Sequence, residues 1–225
     1  MIIFILISLL INMNNNDINN FINTLNECYK LYIDHGSRSS KKVDYFHLYI
    51  KTEVDIYINE NNKNDIYKTK LEQYVNSYNS TGKKKCDIVI YKYNQPYIIF
   101  PCKIIMSNYK QNKNNSWENL TGELLHLKWS NQDIHIIPIN VFMDKTPYLN
   151  KNGIITKYEN ITNDDINHYE ILKKNNIVYD NINYIIEVEH LNQINEKFKK
   201  IPIIKGFNMN TCFKNFSSLL SKLII

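Results

Sequence analysis

The stretch that decides the fold runs from residue 86 to 106: CDIVIYK at 86–92, YNQP at 93–96 and YIIFPCKIIM at 97–106. Two runs rich in β-branched and aromatic residues, separated by a short polar segment ending in proline, predict a β-hairpin. In the second run, residues 98, 100, 102, 104 and 106 are Ile, Phe, Cys, Ile and Met, while the opposite face carries Tyr97, Ile99, Pro101, Lys103 and Ile105. An ammonium in so apolar a strand is costly unless it is paired or opens into a cleft. Asp87 is the matching anomaly in the first run. With a three-residue loop, Asn94-Gln95-Pro96, Tyr93 pairs with Tyr97, and the same register sets Asp87 opposite Lys103; a two-residue loop would shift the register by one and separate their faces. A core ion pair between Asp87 and Lys103 that merely satisfies itself is the plainer reading.

Working outward, Asp17 can cap a helix through about residue 35, with Ile18, Phe21, Ile22, Leu25, Cys28, Tyr29 and Tyr32 on one stripe. The turn HGSRS at 35–39 leads to a second helix over about 40–53, with a stripe of Val43, Phe46, His47 and Ile50. VDIYI at 54–58 reads as a strand, and 66–76 within the polar region 59–82 as a short helix or an extended arm. Beyond the hairpin comes a polar linker at 107–115, then a helix over about 116–129 capped by Ser116, with Trp117, Leu120, Leu124 and Leu127 at helical spacing. IHIIPINVF at 134–142 is a further buried strand. The last third suggests helices near 163–174 and 190–199, a strand near 184–189 and an apolar helix from about 211. The order helix, strand, strand, strand, helix, strand predicts an α/β sandwich around a mixed β-sheet flanked by helices.

The chain is 225 residues long, 44% hydrophobic and 22% charged, an ordinary globular mixture that can build a core. With 36 Asn, 37 Ile, 26 Lys, one Arg and no Ala, usage is that of an AT-rich genome, so a single Asn or Lys carries less information than usual. Net charge of +5 suits a polyanionic partner and equally reflects that lysine excess. Cys28, Cys86, Cys102 and Cys212 form no CxxC pair and read as buried free thiols of a reducing, intracellular compartment, cytoplasm or nucleus. Residues 2–11, IIFILISLLI, are too short to span a bilayer. No basic residue precedes them and no small-residue cleavage site follows, so residues 1–12 read as an apolar extension or a weak signal segment, with Met13 an alternative start. No stable membrane partner is expected. The six histidines show no ligand spacing and read as packing or surface residues.

Glu118 and Glu123 follow Lys103 by fifteen and twenty residues on the helix expected beside the hairpin. Glu118 would lie in a first turn, where the helix dipole favours a carboxylate and capping competes with catalysis. Glu123 lies about 140° further round the helix, and Gly122 would permit close packing on the sheet.

Asp87-Ile88-Val89-Ile90 followed by Pro101-Cys102-Lys103 resembles the D…(D/E)xK signature of the PD-(D/E)xK nuclease superfamily, the fold of many type II restriction endonucleases. Residues 103–123, KIIMSNYKQNKNNSWENLTGE, resemble restriction-endonuclease-like proteins with a similar SNYKQN…N…E…GE passage, and HGSRS resembles an N-terminal element of the same group. The likeness covers roughly residues 30–150. It implies a restriction-endonuclease-like core over 13–150; residues 151–225, which the likeness does not cover, read as a C-terminal α/β extension packed on it.

What the resemblance further implies is a Mg²⁺-dependent DNA endonuclease. Asp87 and Glu118 would be its metal ligands, Lys103 would orient the attacking water, and Glu123 would be a supporting or substitute carboxylate. Pro101 stands where the family has its second acid, and some members supply that carboxylate from the next helix, about fourteen residues after the lysine. DNA contacts are expected from Arg38, Ser107, Asn108, Tyr109, Lys110, Gln111, Asn112 and Lys113, amide, hydroxyl and cationic groups suited to phosphates and base edges. For 107–113 the plainer reading is a solvated connector, and for Arg38 a capping or ion-pair role. Cutting both strands would call for a homodimer. A decayed module of the same fold, gripping DNA without cutting it, is the alternative, with Pro101 as its scar.

Overall fold

The computed structural model describes residues 2–207 and 216–225, with side chains over 18–206 and 218–225. Two long helices lead. α1 (Ile2–His35) runs through Asp17 without a cap there, and buries Phe21, Leu25, Cys28, Tyr29 and Tyr32. It stops at Gly36, whose φ of +80° and N–H bond to the Tyr32 carbonyl, 2.8 Å, make a left-handed C-terminal cap. α2 (Lys41–Glu60) absorbs the expected strand at 54–58. Val54, Ile56 and Ile58 alternate as a strand would, but Phe46, Ile50, Val54 and Ile58 continue a stripe at steps of four, and burial follows the stripe: Ile56 is 45% exposed.

The first strand of the meander is therefore β1 (Tyr67–Asn76), in the region whose polarity left it ambiguous. It pairs antiparallel with β2 (Lys83–Lys92), which pairs antiparallel with β3 (Gln95–Phe100). After Pro101 the chain resumes as β4 (Cys102–Ile104). α3 (Tyr109–Ser130) crosses over to β5 (His135–Ile136) and, after Pro138, β6 (Ile139–Met143), which run parallel to β3 and β4. A ribbon of β7 (Lys145–Leu149) and β8 (Ile155–Asn160) follows. Next come the short helices α4 (Asn163–Ile166) and α5 (Glu170–Lys174), joined by one 3₁₀ turn. β9 (Ile182–Glu189) lies parallel to β6 and antiparallel to β10 (Ile203–Phe207), and α6 (Phe216–Leu220) closes the chain.

Backbone hydrogen bonds divide the strands into the orders β1-β2-β3-β5 and β10-β9-β6-β4. The division falls at Pro101 and Pro138, which have no N–H to give to a ladder. The bonds Ile137 N–H to Ile99 O, 2.9 Å, and Ile139 N–H to Pro101 O, 2.8 Å, carry the pairing across the break, so the two sheets are halves of one bent mixed sheet. β9 bonds directly to β6, so residues 151–225 supply strands of this same sheet rather than a layer packed on a finished core. No helix forms over 190–199, and the expected start of the last helix near 211, together with Cys212, lies outside the described residues.

One face of the sheet is covered by α1, α2 and α6, through Phe21, Tyr29, Phe46, Ile50, Ile88, Ile90 and Leu220. The other is covered by α3 and α5, through Val89, Ile99, Leu124, Leu127 and Leu172, and by α4, whose Ile166 packs with Phe142 and Ile185. Each fully buried Phe or Ile contributes roughly 1.5–3 kcal/mol. Among the described residues no helix is long and apolar enough to cross a membrane. Cys28 and Cys86 are free and buried, and burial pushes both thiols up to about 12. Since only the thiolate reacts, alkylation at pH 8 should be slower than for an ordinary thiol by about 10³-fold. Mass spectrometry should show both unmodified in folded protein and both labelled in urea; rapid labelling of either in the native state would contradict the packing.

Candidate functional site

The hairpin turn is tighter than expected. Tyr93 and Asn94, with φ of 47° and 66°, form a two-residue turn that brings Lys92 opposite Gln95. A bulge next to Ile90 and Tyr91 then inserts one residue into β3, giving Ile88 opposite Phe100. Continued, that register sets Asp87 level with Pro101, two residues short of Lys103. The turn moves the register by three residues from the expected one and the bulge moves it back by one, a net shift of two, so the alternation of faces survives although the expected pairing does not.

Asp87 sits where the sheet changes face. Cys86 packs on the α3 side and Ile88 on the α2 side, although residues two apart in a regular strand share a face. Level with Asp87 on β1 is Glu72, where the paired register skips from Leu71–Ile88 to Gln73–Cys86 and Glu72 takes a φ of 55°. One Asp87 carboxylate oxygen accepts the Cys102 N–H at 2.8 Å, the first N–H after Pro101. The same oxygen lies 3.7 Å from His47 Nε2. Burial holds the Asp87 carboxyl above the usual carboxylate range, against the opposing pulls of His47 and the Cys102 N–H.

Lys103 lies level with Asn140 of β6, and burial lowers its amine below the usual lysine range, with Glu123 acting in the other direction. Asp87, Pro101, Lys103, Ser116, Glu123 and Asn140 line one cleft of about 200 Å³. Glu123 is also held by Lys84 at 2.6 Å. Glu118 is not brought there: it is exposed on α3 and lines no described cleft. α3 begins at Tyr109, seven residues before Ser116, so Glu118 sits in mid-helix and the first-turn dipole argument does not apply to it. A Cβ added at Gly122 would meet nothing within 4 Å, so that glycine does not mark a close helix–sheet approach.

The expected DNA-contact residues divide. Residues 109–113 are the start of a helix and not a linker. Tyr109 is buried, its hydroxyl donating to the Asp165 carbonyl at 2.9 Å. Lys110 and Lys113 face the Asp165 carboxylate at 3.7 and 3.8 Å. Asn108, with φ of 53°, fastens α3 to β7: its amide donates to the Leu149 carbonyl and accepts the Leu149 N–H, both at 2.9 Å. Asn108→Ala should therefore lower unfolding free energy by about 2 kcal/mol, measurable in urea, because it strands two polar groups and strains a left-handed residue. Asn108→Gly, free of the strain, should lose less. Gln111 is exposed, and Asn112 donates to the Asn108 carbonyl at 3.1 Å.

Ser107 bonds the Tyr32 hydroxyl at 2.7 Å. Ser37, Ser107 and Asn112 line a wider cleft of about 570 Å³ with Lys151 and Lys197. A smaller cleft lined by Ser37, Lys42, Lys103, Ser107 and Ser116 joins it to the Asp87 cleft. HGSRS and SNYKQN, some seventy residues apart, thus meet along one groove that ends at Asp87 and Glu123. Arg38 is exposed in the turn, whose Ser37 and Ser39 carbonyls both accept the Lys42 ammonium at 2.9 Å.

His47 was hidden by its setting in an apolar stripe, where a histidine reads as core. It is only 3% exposed. Its position between Glu72 and Asp87 shows only once β1 is known to be a strand. Compared with family models, curated proteins and solved structures, the chain matches none.

Proposed function

We propose that this protein is a Mg²⁺-dependent deoxyribonuclease with a restriction-endonuclease-like core, its active site being the cleft at the Pro101 bend. The observation that carries the reading is the convergence of Asp87 from β2, Lys103 from β4 and Glu123 from α3 on that one cleft. The donor set fits the metal: both acids offer oxygen, as Mg²⁺ prefers, and one or two carboxylates with retained waters suffice to hold it. Asp87 supports the fit further, because burial penalises its charge and a cation beside it would offset that cost. Asp87 and Glu123 would hold the ion, with Glu123 in the role first expected of Glu118 and making up for Pro101. When bound, Mg²⁺ supplies charge neutralisation at the phosphate and a more acidic water.

The chain's own groups do the rest. Lys103, poised at the cleft with a weakened hold on its proton, directs a hydrogen bond at the attacking water or at a non-bridging phosphate oxygen. The groove through Ser107, Asn112, Lys42, Lys151 and Lys197 gives a strand of DNA hydroxyl, amide and ammonium partners leading to that point. Pro101 favours one rival, a module that grips DNA without cutting it. Incubation with supercoiled, linear and single-stranded DNA, with Mg²⁺ or with EDTA, separates the two. Metal-dependent nicking supports the nuclease. Salt-sensitive binding without cleavage supports the rival, and neither result leaves the groove without a DNA role.

A further inference from the structure

The His47 ring lies between two carboxylates with nothing among the described residues within hydrogen-bonding distance. Nδ1 is 3.6 Å from Glu72 Oε1 and Nε2 is 3.7 Å from Asp87 Oδ2, both beyond the 2.7–3.2 Å range of such bonds. Both ring nitrogens are buried and, among the described residues, have no hydrogen-bond partner. A buried polar group without a partner costs about 1–3 kcal/mol, so a side chain with two such atoms points to something that should meet them. Asp44 lies one helical turn before His47, and ligand atoms of Asp44, His47 and Glu72 all fall within 4.8 Å of one another. Glu72 reaches this point from the left-handed backbone conformation that interrupts the β1–β2 ladder, a strain of order 1–3 kcal/mol of the kind held at functional sites.

We propose that Asp44, His47 and Glu72 form a second cation site, selective for a first-row transition ion of the Zn²⁺ or Mn²⁺ kind over Mg²⁺. One imidazole with two carboxylates is a donor set for such borderline ions, whereas Mg²⁺ takes oxygen donors and keeps its waters. His47 Nδ1, on the Glu72 side, ligates the ion. Nε2–H then donates to Asp87, the outer carboxylate that fixes the ring of a metal-bound histidine. Both orphan nitrogens are thereby used. Lys85, bonded to the other Glu72 oxygen, holds that carboxylate in place. The site does not depend on the nuclease reading, and it couples α2 and β1 to the strand that carries Asp87.

The test is binding and needs no activity. Full-length protein stripped with a chelator is titrated with Co²⁺, whose visible absorption reports its ligands, and Zn²⁺ is then added in competition. The expected result is one Co²⁺ per chain retained in millimolar Mg²⁺, which fills the Asp87–Glu123 cleft, and displaced by Zn²⁺. His47→Gln and Asp44→Asn each remove a direct ligand and should weaken affinity by at least the ~10–100-fold typical of losing an outer partner, and Glu118→Gln should leave it unchanged. Asp44 is exposed, so its variant remains informative if His47→Gln fails to fold, with circular dichroism as the check on both. Absence of Co²⁺ binding, or wild-type affinity in the folded Asp44→Asn and His47→Gln variants, would overturn the proposal and leave His47 as a packing residue between two acids. Displacement of Co²⁺ by millimolar Mg²⁺ would overturn the selectivity.

Discussion

Lys103→Ala is expected to reduce Mg²⁺-dependent cleavage of DNA by about 10²–10⁴-fold, the range associated with a positioned proton-transferring group. The fold should survive it. Lys103 is half-buried at the mouth of a cleft, and burial already disfavours its charge, so removing the amine also removes that penalty. DNA binding should weaken by far less than cleavage, since one ammonium is only one of several cations along the groove. Lys103→Arg should not restore the rate. A guanidinium stays protonated and presents a planar fork, whereas the proposed role needs a compact amine whose proton is loosely held. The measurement is cleavage under single-turnover conditions at saturating protein, which separates the chemical step from binding. A Lys103→Ala protein that cuts as fast as the parent would remove the amine from the mechanism and, with it, the assignment of this cleft.

The elements legible from sequence were those whose hydrophobic period was unambiguous: both strands of the hairpin, the α1 stripe and the strand around Ile139. At 54–58 two periods were written into the same residues, and the longer stripe from Phe46 to Ile58 prevailed because α1 and the sheet bury it. β1 escaped detection because it lies at a sheet edge, paired only with β2, where polar residues such as Lys68, Lys70 and Gln73 are tolerated. The start of α3 was obscured by a run of Asn and Lys that reads as linker. It forms a helix because Asn108 takes a left-handed conformation and bonds across to Leu149, a contact between residues 41 apart that local propensity cannot register. Asp87 and Lys103 were visible as charges in apolar strands, yet their relation was set by a turn that shifts the register by three residues and a bulge that returns one of them. Glu72 and His47 became intelligible together only once the β1–β2 pairing put Glu72 level with Asp87.

The choice between the two glutamates tests this geometry most sharply. Glu123→Gln should lower cleavage by about 10²–10³-fold and raise the Mg²⁺ concentration needed for half-maximal rate, as expected when a ligand that helps hold the metal loses its charge. Glu118→Gln should leave both within about twofold, since exposed substitutions away from a site are nearly neutral. The two positions differ by five residues on one helix, close to half a turn beyond a full one, so α3 cannot present both side chains to the same cleft. One complication has a built-in control. Glu123 also pairs with Lys84, so its neutralisation frees a cation beside the cleft. Lys84→Met breaks that pair without touching the carboxylate. If the ion pair alone mattered, Lys84→Met would reproduce the loss of Glu123→Gln; if Glu123 holds the metal, Lys84→Met should keep most of the rate and the parent Mg²⁺ requirement. The reverse pattern, a dead Glu118→Gln and an active Glu123→Gln, would mean that α3 rotates by about 140° on binding DNA or metal, and that the cleft described here is not the one that cuts.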